Sequence, residues 1–70
     1  MTTEQLNKIR KVVELAKLVS PTDKEYRLFS NLVFKVMAKN AREEIESEEV
    51  LKQLISAIND GVNNNKWPGD

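Results

Sequence analysis

The stretch SPTDKEYRLFSNLVFKVMAKNAREEI, residues Ser20 to Ile45, decides how this chain folds. Its apolar residues recur at helical spacing. With residues placed about 100° apart and Tyr26 set at zero, Phe29, Leu32, Val33, Val36 and Met37 gather into one seam, flanked by Tyr26 and Leu28. A second seam, Phe34, Ala38, Ala41 and Ile45, is spaced four, three and four residues apart and lies well over a right angle from the first. The two neighbours of a helix in a closed three-helix bundle subtend only about 60°, so the second seam predicts either a sandwiched helix or a partner outside the domain. A strand over Leu28 to Met37 is the competing reading, because Phe and Val favour strands, and the helical period outweighs it.

The start of this helix has its own signal. Ser20 can cap, Pro21 suits the first helical position, and Asp23 stands three residues after the cap. Its end is less sharply marked. Asn40 and Glu44 interrupt the first seam, and Asn40 can adopt the left-handed conformation that ends helices; a helix running on to Glu46 would keep the second seam whole. The helix also carries a basic stripe, Lys24, Arg27, Lys35, Lys39 and Arg42, with no acid interleaved on that side.

Outward from this stretch, Thr2 and Gln5 have the spacing of a capping box, and Leu6, Ile9, Val12, Val13, Leu15, Ala16 and Val19 make the apolar face of a first helix. Leu18 falls off that face and is expected to pack over the Ser20 cap. Ser47 with Glu48 and Glu49 reads as the start of a third helix. Val50, Leu51, Leu54, Ile55, Ile58 and Val62 form its stripe, and Gly61 is its expected stop. The expected fold is all-α: a small three-helix bundle over residues 1–62 with a long central helix, and a disordered or loosely docked C-terminal tail over residues 63–70. The lone Trp67 in that tail either docks on the bundle or serves as a recognition segment.

Seventy residues give one domain of marginal size, and the absence of Cys and His leaves helix packing or self-association as its sources of stability. The same absence removes thiolate and imidazole metal sites, the activated thiol and the usual general base. Neither Gly61 nor Gly69 belongs to a phosphate-binding loop, and the acids from Glu43 to Glu49 lack the spacing of a calcium loop. No catalytic residue, cofactor or metal is expected. The N-terminus has no apolar run of the signal-peptide kind and no stretch approaches a membrane span, so a cytoplasmic protein is expected.

Net charge is zero but unevenly distributed. Residues 1–42 hold nine Lys or Arg against four acids, whereas residues 43–70 hold two against seven, giving halves of +5 and −5. That asymmetry can orient a charged partner or a second copy. The reading that follows is a non-enzymatic helical interaction protein, an adaptor, inhibitor or modulator that binds a protein partner or itself through Phe34, Ala38, Ala41 and Ile45. The alternative is a small nucleic-acid-associated regulator using the basic stripe. Against it stand the neutral total charge and the acids at the start of the third helix, which phosphates repel.

Overall fold

The computed structural model describes residues 1–68 and contains three α-helices: α1 (Thr3–Val19), α2 (Asp23–Ala41) and α3 (Ser47–Asn64). Each helix packs on both others. Connections as short as Ser20–Thr22 and Arg42–Glu46 make successive helices antiparallel neighbours. The 31 Å long axis of the molecule matches the length of one helix, since nineteen residues at 1.5 Å rise span about 28 Å. The central helix exceeds its neighbours by only one and two residues.

The core forms from part of the expected faces; Leu6, Leu15 and Val19 of α1 and Ile55 and Val62 of α3, expected on those faces, are exposed. Ile9 and Ala16 of α1, Phe29 and Val36 of α2, and Val50, Leu54 and Ile58 of α3 are buried together. Val12, Val13, Leu32, Val33, Met37, Leu51 and Ala57 pack around them. The first seam of α2 therefore supplies the core contacts of that helix. No polar or charged side chain is counted among the buried residues described. The centre is held by apolar packing and each helix satisfies its own backbone groups, as a domain of this size requires.

Helix ends depart from the sequence reading in four places. Thr2 and Gln5 form the reciprocal capping box, but Ser20 does not open α2. It closes α1: its N–H and its hydroxyl both donate to the Ala16 carbonyl, at 3.0 and 2.5 Å. Helix α2 begins two residues later than a Ser20 cap implies, after Thr22, whose hydroxyl donates to the Glu25 carboxylate. Pro21 consequently lies in the turn rather than at the first helical position, and it holds Ser20 extended, as residues before proline are. Leu18 is 82% exposed and packs over nothing.

At its far end α2 stops at Ala41 rather than running to Glu46. The Glu44 N–H bonds the Lys39 carbonyl at 2.9 Å and the Glu43 N–H bonds that of Asn40 at 3.0 Å, the paired bonds of a Schellman ending. The left-handed residue is Glu43, at φ 60°, not Asn40. Asn40 stays helical and its side-chain amide donates to the Ile45 carbonyl at 3.0 Å and to the Ser47 hydroxyl at 3.4 Å, tying the end of α2 to the start of α3. Glu46, one residue before Ser47, occupies the capping position of α3.

Gly61 does not end α3 either. It is a buried residue inside a helix that continues to Asn64 and is closed by Asn65 at φ 53°. A β-carbon at Gly61 would lie 2.6 Å from ring carbons of Trp67, so the missing side chain is what lets the indole lie against the helix backbone. Trp67 is 3% exposed and docks on the bundle. Within the tail, residues 65–68 fold back in this way, and residues 69–70 lie outside the described part of the structure.

Candidate interaction surface on the second helix

The core uses one side of α2, and the opposite side carries the residues singled out in the second seam. Phe34 is 75% exposed, with neither α1 nor α3 covering it. Burying a Phe side chain is worth about 1.5–3 kcal/mol, so an aromatic ring left in water at the middle of a helix is unused binding energy. Ala38 and Ala41, one and two turns further along the same face, are exposed too and form a low shelf beside the ring.

Ile45 does not belong to this seam. The chain leaves the helix after Ala41, so the four-residue spacing no longer keeps Ile45 on the face; it is half-buried and packs against the core from the α2–α3 connection. Of this seam Phe34, Ala38 and Ala41 are exposed; Leu6, Leu15, Leu18 and Val19 of α1 and Ile55 and Val62 of α3 are exposed elsewhere on the molecule.

The basic stripe runs beside it. Lys24, Arg27, Lys35, Lys39 and Arg42 are all exposed. Arg42 pairs with Glu44 at 3.0 Å, and this hydrogen bond holds the Glu44 carboxyl below the usual carboxylate range. The other four cations make no ion pair with any described residue. By helical rotation Arg27 lies about 20° from the direction of Phe34 and Lys24 about 80°, whereas Lys35 and Lys39 turn about 100° and 140° away. Arg27 therefore flanks the ring directly, one pair of turns toward the helix start.

Past Ala41 the sign of the surface changes. Glu43, Glu44 and Glu46 are all exposed in the corner between α2 and α3, followed by Glu48 and Glu49 in the first turn of α3. The Schellman ending carries the chain toward α3, with Asn40 holding Ile45 and Ser47 on the core side, while the Arg42–Glu44 pair keeps Glu44 on the basic side of the helix.

The concave surfaces of the molecule offer less. An open groove beside Trp67 is lined by Leu32, Gln53, Ser56, Asp60 and Lys66, a mixture with no converging chemistry. A second lies over the α2–α3 corner, around Asn40 and Ser47, and is lined largely by Glu43, Glu44 and Glu46. Among the described residues no three acidic, His or Cys side chains gather as metal ligands would, and no helix is long and apolar enough to cross a membrane. Sequence reasoning missed the Gly61–Trp67 contact, although Gly61 continues the apolar face of Leu54 and Ile58 and a Trp follows six residues later. Comparison of the chain with family models, curated proteins and solved structures finds no match.

Proposed function

We propose that this chain is a small non-enzymatic interaction protein of the cytoplasm, an adaptor, inhibitor or modulator that binds a protein partner through the outer face of α2. The observation that carries this reading is the exposed Phe34 on a regular helix beside two alanines and unpaired cations. Aromatic residues are enriched among the anchors that dominate binding energy, small residues let a partner backbone approach, and rim charges set orientation and association rate. An amphipathic partner surface with an apolar slot and acidic rim complements this face.

The four unpaired cations also support a second reading, a nucleic-acid-associated regulator, in which they track phosphates and Phe34 stacks on a base. The two readings separate in one experiment. Capture from native lysate with wild-type protein, Phe34→Ala, and a variant with Lys24, Arg27, Lys35 and Lys39 changed to Gln, each with and without nuclease, is read by mass spectrometry. A nuclease-resistant protein retained by wild type and lost with Phe34→Ala supports the interaction reading. Capture that vanishes with nuclease and with the Gln variant supports the regulator instead.

A further inference from the structure

We infer that a second copy of this chain occupies the Phe34 face, the two α2 helices lying antiparallel about a two-fold axis at the level of Val36. This rests on reading that face as an interface, and it adds the identity of the occupant and the register.

Three features of the surface select this arrangement. The first is shape. A two-fold axis at residue 36 sets each Phe34 opposite the partner's Ala38 and each Asn31 opposite the partner's Ala41, so the one large exposed side chain of the face meets its smallest ones twice. A parallel pairing, or an antiparallel one centred on residue 34, would set Phe34 against its own copy; an axis between residues 37 and 38 would fill the same shelf at Ala41.

The second is charge. At 1.5 Å per residue, Arg27 and Lys24 stand about 14 and 18 Å from the axis on one side, while the partner's α2 ends about 8 Å from it and carries Glu44 just past that end, its carboxylate held on Arg42. Each cationic end thus approaches the partner's Glu44, and symmetry repeats the match at the other end. An antiparallel two-fold also brings the same flank of both helices together. The Arg42–Glu44 pair lies on the flank that carries Lys24, which puts the Glu44 carboxylate on the correct side.

The third is the placement of the remaining cations. Lys35 and Lys39 are turned about a right angle or more from Phe34, so both copies keep them in water and their mutual repulsion is screened. The contact runs along a single helix of about 28 Å, at the small end of specific interfaces, so the dimer is weak and depends on concentration. Its charge pairs are exposed, so it loosens as salt rises.

The test is sedimentation equilibrium of the purified full chain across a micromolar-to-millimolar series, with circular dichroism confirming that each variant folds. Wild type shows a monomer–dimer equilibrium. Phe34→Ala weakens it by about tenfold or more, the loss of one binding anchor. Ala38→Gln, which fills the shelf at an exposed helical position, does the same without touching the ring. Lys24→Glu with Arg27→Glu, and separately Glu44→Lys, each weaken self-association, and an equimolar mixture of the two variants restores it as a heterodimer. Restoration that is lost again when Phe34→Ala is added to both variants ties the charge match to this face, because the opposite net charges of the two variants would survive that change. Wild type that stays monomeric at millimolar concentration overturns self-pairing, as does a dimer insensitive to Phe34→Ala or a mixture that fails to associate. If self-pairing fails while a nuclease-resistant protein is still captured in a Phe34-dependent way, the interface reading stands and its occupant is a different protein. If both fail, the reading of the face falls with it.

Discussion

Phe34 and Trp67 have opposite fates in this molecule, and each is the opposite of what its surroundings in the chain suggest. Phe34 sits in the middle of a strongly apolar helical run and ends up three-quarters exposed; Trp67 follows four polar residues, Asn63 to Lys66, and is almost wholly buried. The difference lies in what each meets. A helix in a three-helix bundle has room for one core-facing stripe, and Phe34 is on the wrong side of it. Trp67 meets Gly61, the single position on its side of α3 where the backbone is bare. Burial here follows the availability of a complementary surface more than the hydropathy of the local sequence.

Removing each ring gives the largest expected contrast. Trp67→Ala should cost about 3–5 kcal/mol, as deletion of a buried aromatic does, and take most of the stability of a domain this small. Phe34→Ala should change monomer stability by less than about 0.5 kcal/mol, like other exposed substitutions. Urea unfolding read by circular dichroism at high dilution measures both; equal losses would erase the distinction. Trp67 also carries a cost, because its indole N–H is buried without an acceptor among the described residues. Such an orphan donor is worth about 1–3 kcal/mol, so Trp67→Phe should fall within about 1 kcal/mol of wild type despite its smaller ring.

Gly61→Ala sharpens the same contrast from the other side of the contact. Alanine is the better helix former by about 1 kcal/mol, but its methyl would meet three rigid ring carbons at 2.6 to 2.7 Å. The clash, of about 1–3 kcal/mol plus lost packing, wins. The expected result is net destabilisation with a red-shifted Trp67 emission; a stabilised protein with unchanged emission would place the indole elsewhere.

A smaller effect belongs to the end of α2, where the chain turns into the acidic corner. Glu43 holds a left-handed conformation that side chains resist, so Glu43→Gly should stabilise by roughly 0.5–1 kcal/mol, after the extra freedom of glycine in the unfolded chain is subtracted. Destabilisation on urea unfolding would indicate that the Glu43 side chain itself supports the corner.

The smallest expected effect is on pH dependence. Glu25 and Glu44 both titrate below the usual carboxylate range, Glu25 chiefly because the Thr22 hydroxyl donates to it and Glu44 chiefly because of Arg42. A carboxylate with a lowered folded-state pKa adds stability that is complete above its unfolded value and disappears as pH falls through the folded one. Thermal unfolding midpoints should therefore decline between about pH 5 and pH 3, and Glu25→Gln with Glu44→Gln should flatten that decline slightly. Both groups are exposed, so solvent keeps the effect small.

The sequence by itself determined the three helices, the capping box at Thr2 and Gln5, and the side of each helix that faces the core, though not that Leu6, Leu15, Val19, Ile55 and Val62 stay exposed. Those features depend on local period and local hydrogen bonds, which are written in neighbouring residues. It also singled out Phe34, because an apolar residue off the main stripe is visible in the period alone. What it left open needed contacts between distant residues. The choice between Ser20 and Thr22 depended on which helix held the Ser20 hydroxyl, and the loss of Ile45 from the second seam depended on where α2 stopped. Only the tertiary structure decided that Phe34 has no cover among the described residues, that Glu44 pairs with Arg42 beside the basic stripe, and that Gly61 is a seat for Trp67. Each depends on surfaces brought together by packing, and helical period carries no record of which surface a side chain will meet.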